Sequence, residues 1–390
     1  LGIALALILL LGGALRFTGL DWDEGQHLHP DERFLTMVEN ALSWPSSLGE
    51  YLDTAQNPLN PYNKGFGSFV YGLLPITVVK AIGQATGYTG YSGVYLAGRA
   101  VSGVLDLLAV LTVFAIGRRL YDWRVGLLGS LFLALSVLDI QQSHFFTVDS
   151  ATTVLVTLAL YLAVRVSQGE GSWSLIGLGL AYGLALSSKI SIATFGLIIG
   201  LALVLRVFGR ERASSARLPE DGQLEHKARI GRWDIRLYLD GGSPPQRVRR
   251  IDSAILRWLR VAALFLLVLF VAFWAFRLAQ PQAFQGPGLF GLKLNEQWVN
   301  DMVYIQKLMS GEIDYPPSHQ WAGREPIVYM LKNTVLWGLG LPLGLAVCFG
   351  WGAMAYELLH HGRLAHLLPW VWVTMTFLYQ SVQFVKPVRY

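Results

Sequence analysis

The tetrad His29-Pro30-Asp31-Glu32 sets two adjacent carboxylates a dozen residues beyond an apolar run that ends at Phe17. Carboxylates can serve as general bases towards a hydroxyl group, and a membrane exit is where a lipid-borne substrate reaches them. Pro30 has a preset φ that suits the first position of a helix, and the positive end of the helix dipole favours Asp31 in its first turn. Phe34, Met37, Val38, Ala41 and Leu42 follow at i, i+3, i+4, i+7 and i+8, the spacing of one apolar helix face. The reading is an amphipathic helix on the membrane surface with its acidic N-terminus in water. Asp21, Asp23 and Glu24 are rival acids that precede this helix. His27 and His29 would give a metal two ligands and Asp31 a third, yet no further Cys/His cluster completes a tetrahedral site. The expectation is therefore no cofactor, with a divalent metal as the alternative.

The elements that must position these groups are membrane helices. The 390 residues are 53% hydrophobic and 15% charged, with mean hydropathy +0.43. That composition excludes an ordinary soluble domain and implies an all-α polytopic membrane protein. Cys348 is the single cysteine, so no internal disulfide forms. The net charge of +5 gathers in a few loops and gives no reason to expect nucleic acid. Spans are expected at 1–17, 96–117, 125–142, 150–166, 173–188, 191–208, 260–277, 334–356 and 364–383, near the length a bilayer needs. The chain begins and stops near apolar runs and reads as a fragment lacking C-terminal spans, one transmembrane module over 1–390. Segment 67–85 is ambiguous, because Pro75 interrupts its apolar stretch and Lys80 closes it.

Loop charge resolves that ambiguity. If 67–85 does not cross, Arg118, Arg119, Arg124, Arg165, the basic loop 209–259 and Arg363 share one side. Asp31, Asp139, Asp149, Lys189, the 278–333 loop and Lys386 share the other. The positive-inside rule then makes the first side cytoplasmic and 67–85 interfacial, giving nine spans and an outer catalytic loop over 18–95. The 209–259 loop carries Arg247, Arg249 and Arg250 beside the turn-forming Gly241-Gly242-Ser243-Pro244-Pro245. It reads as a linker near anionic lipid, with a strand at 235–239 as the alternative. No dinucleotide or Walker-type glycine loop occurs.

On the outer face this topology collects Asp31, Glu32, Lys64, Asp149, Lys189, Arg324, Lys386 and Arg389. Lys and Arg hold a phosphate in binding and as it departs with growing charge. A base opposed to cations suits displacement of a lipid phosphate from a sugar, with Trp321 available to stack on the ring. Within the membrane, Arg99 and Asp106 lie seven apart on one helix face. They read either as a functional pair or as a mutually neutralised structural one. His144 reads as a satisfied polar residue at the end of its span.

These residues resemble the GT-C membrane glycosyltransferases, in particular bacterial members of the group with protein O-mannosyltransferases and lipid A aminoarabinose transferases. His29-Pro30-Asp31-Glu32-Arg33-Phe34 is similar to the family's Asp-Glu motif in the first outer loop. Asn63-Lys64-Gly65-Phe66 resembles its Lys-Pro-Pro-Leu motif without the prolines. Gly117-Arg118-Arg119-Leu120-Tyr121 resembles its short cytoplasmic turn, Ser143 to Asp149 its second outer acidic site, and Ser187-Ser188-Lys189 its following lysine. Pro316 to Trp321 and Val385 to Tyr390 are also similar to bacterial members.

The resemblance implies a GT-C-type helix bundle with interfacial helices in the first outer loop. It implies inverting transfer from a polyprenyl-phosphate sugar to a hydroxyl acceptor (protein, lipid or glycan) outside the bacterial cytoplasmic membrane. Asp31 would be the base with Glu32 supporting it. Lys64, Lys189 and Arg389 would contact phosphate, with Asp149, Arg324 and Lys386 as further substrate contacts. A transporter or flippase of lipid-linked sugars is the alternative. It calls for midplane charges and paired broken helices, and of the charged residues only Asp106 fits. A non-catalytic scaffold gives no reason for acids and bases to converge.

Overall fold

The computed structural model describes residues 1–215, 227–230, 233–236 and 253–387, with backbone alone for 210–215, 253 and the two short strands. Arg247, Arg249, Arg250, the 241–245 turn and Arg389 lie outside the described residues. The elements in order are α1 (Gly2–Phe17), α2 (Pro30–Ala41), α3 (Leu48–Leu52), α4 (Leu73–Thr86), α5 (Val94–Leu120), α6 (Trp123–Ala134) and α7 (Val137–Ser143). Next come α8 (Asp149–Ser167), α9 (Ser172–Leu186), α10 (Gly196–Ser215), strands β1 (Lys227–Ile230) and β2 (Trp233–Arg236), and α11 (Ser253–Ala279). The remainder are β3 (Phe284–Gln285), β4 (Lys293–Leu294), α12 (Glu296–Ser310), α13 (Val328–Asn333), α14 (Leu341–His361) and α15 (Leu367–Val382).

Among the described residues five helices are long and apolar enough to cross a membrane: α5, α8, α10 with its preceding turn, α11 and α14. The segment expected to cross at 125–142 is broken into α6 and α7 at an angle of 59°. The expected spans 1–17, 173–188 and 364–383 become α1, α9 and α15, of 16, 15 and 16 residues. The span expected at 334–356 starts later, at Leu341, after a π-helical turn over Thr334–Gly338. The chain is a multi-pass membrane protein.

Lipid is as apolar as leucine, so helices in a bilayer associate by close packing, which small residues allow. The main core lies between α8, α9, α10 and α11 and includes Ala159, Ala163, Leu178, Ala181, Ile199 and Ala272. α9 meets α11 through Gly179 and Gly183. A Cβ at Gly183 would sit 2.2 Å from the Ala272 carbonyl oxygen, and one at Gly179 2.8 Å from that of Val268.

A broken helix leaves carbonyl groups short of partners, and here an arginine adds donors to them. Arg16, at the end of α1 and fully buried, donates to the carbonyls of Ala134 at 2.9 Å and Leu133 at 3.1 Å, where α6 stops. Its Nε donates to Asp106. Asp106 therefore pairs with Arg16, and Arg99 finds other partners, so the expected pair Arg99–Asp106 does not form. The helix that carries both residues puts them at different depths, each beside a different neighbouring element.

α4 has 14 residues, about 21 Å at about 1.5 Å per residue, short of the ~30 Å hydrocarbon core. It packs on α2 and α5. Lys80 in α4 is buried and donates to Glu39 of α2 at 3.2 Å. Segment 72 runs against the end of α9: the Gly72 amide donates to Ser188 O at 3.1 Å, and a Cβ there would lie 2.0 Å from Ser187 O.

α2 starts at Pro30 as expected, with the His29 ring accepting from the Glu32 amide at 3.3 Å. Its buried stripe is Leu35, Val38 and Leu42, packed with Phe69, Leu73, Ile76, Val79 and Phe146. This corrects the expected apolar face: Met37 points outward, and the helix buries its apolar side in protein instead of lipid. In the basic loop β1 and β2 pair antiparallel, Ala228 opposite Ile235. The strand alternative there begins two residues earlier than expected, and 237–239 lie outside the described residues.

The close contact at Gly183 generates a measurement. Gly183→Ala should destabilise the bundle by about 1–3 kcal/mol through overpacking, read as a lower unfolding temperature in detergent. A variant as stable as the parent would show that α9 and α11 are not packed at this distance.

Candidate active site

The ends of the helices sort the charged residues into two groups. At one end Glu170 accepts from Arg119 and Arg165, Arg206 donates to the Val166 and Glu170 carbonyls, and the Tyr121 hydroxyl meets His366. The opposite end gathers the C-terminus of α1, the N-termini of α2, α5 and α8, and the C-termini of α9 and α11. The two sets are those assigned from loop charge.

The first loop is fixed at that second end by one carboxylate. Glu32 is fully buried and accepts from Arg99 Nε at 3.0 Å, from Arg99 Nη2, and from the Phe146 amide at 2.7 Å. Arg99 also donates to Asp23 Oδ1 at 2.9 Å and Leu20 O at 2.6 Å, with its guanidinium over Tyr95 and Trp22. Burial works against ionised Asp23, but the Arg99 hydrogen bond, the Leu28 amide and the Arg99 charge hold its carboxyl below the ordinary range. Among the other rival acids, Asp21 accepts from the Tyr95 hydroxyl at 2.8 Å and Glu24 is exposed.

Adjacent residues on a helix point about 100° apart. With Glu32 turned inward, Asp31 lies at the half-buried edge of α2. One turn on, Phe34 contacts Phe66, Phe69 and Tyr71, which follow Lys64. Lys64 ends a 3-10 turn, Pro61–Lys64, capped by Asn60, and is half-buried. This turn is stapled from a distant element: Asp301 of α12 accepts from the Tyr62 hydroxyl at 2.6 Å and the Phe69 amide at 2.8 Å. Burial and the Asp301 carboxylate push the Tyr62 phenol upward.

Asp149 opens α8 and accepts from Lys189 Nζ at 2.8 Å. Both line a cavity of about 450 Å³ whose walls include Val156, Ile192, Leu197, Trp372, Met375 and Tyr379. Phe146, three residues before Asp149, donates to Glu32, so the strip 146–149 joins the cavity to the Asp31 helix.

Lys386 is buried, donates to Phe384 O at 3.3 Å, and is pushed down by burial. Its segment pairs with the end of α12 through amides of Phe384 and Val385 on Met309 O. Arg324 is exposed, donates to Gln320 O at 3.3 Å and lies over Tyr329. Asp31, Glu32, Lys64, Asp149 and Lys189 thus share one connected end of the bundle, while Arg324 makes these contacts within its own loop.

The histidines have separate neighbours, His27 against Tyr91 and Tyr95, His29 against Phe145. Among the described residues no group of three His, Cys, Asp or Glu side chains gathers as metal ligands would. The ring nitrogens of His144 lie 2.8 Å from Ile140 O and 3.0 Å from Thr18 O, and one N–H of the neutral ring can donate to only one of them. Asp106, the charge a transporter would use, is closed in its pair with Arg16.

Residues 92–218 match the family described as dolichyl-phosphate-mannose-protein mannosyltransferase. No curated protein matches the chain. An apo oligosaccharyltransferase from Archaeoglobus fulgidus aligns at TM-score 0.53 and 12% identity, over 98% of this chain and 48% of that one. The oligosaccharyltransferase AglB of the same organism, solved with an inhibitory peptide and a dolichol-phosphate, aligns at 0.52 and 13%, over 99% and 49%. The chain has the GT-C fold. It spans about half the length of those relatives. Within this GT-C fold the family match takes in Arg99, Asp149 and Lys189 and leaves Asp31 outside.

Sequence reading missed Asp301, Arg16 and the partners of Arg99. Asp301 has no motif; its one sequence signal is a carboxylate inside an amphipathic helix.

Two measurements follow from the buried cluster. Arg99→Met leaves Asp23 and Glu32 buried without their cation and should cost about 3–5 kcal/mol, read by thermal unfolding in detergent. A folded-state pKa held low contributes stability above the unfolded value, ~3.9 for Asp, and loses it as pH falls through the folded value. The parent should therefore lose stability below about pH 4, and Asp23→Asn should flatten that part of the profile. Parallel profiles for the two proteins would remove Asp23 from the acid response.

Proposed function

We propose that this GT-C chain is an inverting glycosyltransferase using a polyprenyl-phosphate sugar at the outer face of a bacterial cytoplasmic membrane. The observation that carries the reading is the Lys189–Asp149 pair at an apolar-walled cavity, joined by the 146–149 strip to the helix that carries Asp31. The cavity suits an isoprenoid chain, and the ammonium of Lys189 suits the phosphate. The relative that holds a dolichol-phosphate has the same fold. The arginine-rich opposite end supports the outward orientation.

The acceptor is a hydroxyl on a protein, lipid or glycan. Its oxygen attacks the anomeric carbon while the bond from that carbon to the phosphate oxygen breaks. Asp31 takes the hydroxyl proton, and Glu32, through Arg99, holds the helix that presents it. Negative charge moves onto the departing lipid phosphate, where Lys189 stabilises it. Lys64, Lys386 and Arg389 are proposed as further phosphate contacts, and Arg324 as an acceptor-side contact. Burial holds Lys386 below the usual lysine range, and an anion beside it would favour its charged form. The step needs no organic cofactor, because the leaving group is already a phosphate.

Purified protein incubated with a panel of polyprenyl-phosphate sugars and hydroxyl acceptors, scored by release of lipid phosphate, tests the reading. Asp31→Asn should stay folded and lose transfer by about 100-fold or more, the usual scale of a general base. Lys189→Met should lower both donor affinity and turnover. Parent-level turnover in Asp31→Asn would assign the base elsewhere. No release from any donor would sink the reading as a whole.

A further inference from the structure

The segment after α11 turns back on itself as a short antiparallel hairpin, with Phe284 opposite Leu294 and Gln285 opposite Lys293. Its root is fixed on two flanks. Gly286 backs onto the first loop, where a Cβ would lie 2.6 Å from Leu52 O, and its amide donates to the Thr54 hydroxyl at 3.2 Å. That hydroxyl donates in turn to Phe284 O. On the other flank the buried Arg277 of α11 donates to Gly288 O at 2.7 Å, with its guanidinium over the Phe284 ring. Beyond this fixed root the hairpin turns apolar side chains outward. Phe290 is 79% exposed, and Leu292 and Leu294 are exposed with it.

Exposed apolar projections mark sites of protein or membrane contact, and the position of Phe290 decides between them. Its ring meets Trp274 edge-on at 5.9 Å, and Trp274 meets Phe270 at 6.2 Å. Both partners belong to α11, which is long and apolar enough to cross a membrane. That helix buries Val268, Ala272 and Ala275 towards α9 and leaves Leu259, Leu266, Phe270 and Phe273 exposed on its opposite side. The exposed apolar side of a spanning helix meets acyl chains, which are as apolar as leucine. Trp274 comes five residues before the end of α11 at Ala279, about 7.5 Å back along the axis. A ring in contact with Trp274 therefore lies on the bilayer side of the helix end, at the depth where aromatic residues collect. Lys293, beside the tip, pairs with Glu296 at 3.4 Å, and its long stem lets the charge reach water from an apolar surface.

We infer that the hairpin tip, 288–292, is a membrane wedge that inserts Phe290 and Leu292 into the acyl region of the leaflet beside the end of α11. The partner is the lipid surface itself, because the tip continues the lipid-facing strip of a spanning helix. Through Gly286 and Thr54 the wedge anchors the first loop to the bilayer. The inference does not depend on the transfer reaction.

The test uses the whole protein in nanodiscs of phosphatidylethanolamine and phosphatidylglycerol. Cys348, the single cysteine, is changed to Ser so that one introduced cysteine carries a nitrobenzoxadiazole label. Phe290→Cys reports on the tip. Phe349→Cys, at an exposed position of α14, is the lipid reference, and Glu312→Cys, exposed just after α12, is the water reference. The label at 290 should lose the response to aqueous iodide seen at 312. A phospholipid with a nitroxide near the carbonyl end of one acyl chain should quench it more than one with the nitroxide at the methyl end. If Phe290→Cys does not fold, Leu292→Cys carries the same test. An iodide response equal to that at 312 would leave the tip in water and overturn the inference. Shielding from both iodide and lipid nitroxide would also overturn it, and would assign the tip to a protein contact, a second copy of this chain included.

Discussion

The candidate site depends on the burial of Glu32. Removing a carboxylate from water is costly, and an ion pair repays that cost only when the remaining lone pairs and protons are also satisfied. Here Glu32 accepts from Arg99 twice and from the Phe146 amide, while Arg99 spends two further protons on Asp23 and Leu20. One side chain thereby ties α2, α5 and the strip before α8 into a single unit. The same constraint orients the helix: an inward Glu32 leaves Asp31 about 100° around the axis, at the edge. The two acids of the tetrad differ because one must be buried for the other to be held in place.

Charge parity was legible because the bilayer penalises exposed charge and so sorts basic loops from acidic ones. Arg119, Arg165 and Arg206 converge on Glu170 or its carbonyl, and Lys189 meets Asp149, at the two ends that loop charge had assigned. The start of α2 was legible for a local reason, since Pro30 and the His29 cap act within one turn. The GT-C resemblance came from several short motifs in order, and the family match to 92–218 and the archaeal fold likeness agree with it.

What could not be read was set by contacts between segments far apart in the chain. The spacing of α2 offers two adjacent apolar stripes, and only the packing of Phe69, Leu73 and Ile76 selects Leu35 over Met37. Arg99 and Asp106 share a helix face, but their partners, Glu32 and Arg16, come from elements that no periodicity relates to them. The break between α6 and α7 is tolerated because Arg16 adds donors to the carbonyls there. Nothing within 125–142 announces that donor.

The first loop was expected to lie on the membrane, yet its internal side is built against protein throughout. Tyr51 donates to Leu278 O at 2.5 Å, the Leu73 amide to Gln280 at 2.7 Å, and Tyr62 to Asp301, so three points of the loop rest on the end of α11 and the segment that follows it. Groups fixed at both flanks lose little further freedom when a substrate arrives, and that pre-organisation favours a reaction that needs a base and a cation at set positions. An amphipathic helix held by lipid alone would slide and rotate. Anchored by Glu32 on one side and by the Asp301 staple on the other, α2 and the Lys64 turn are held in fixed relation to Asp149 and Lys189.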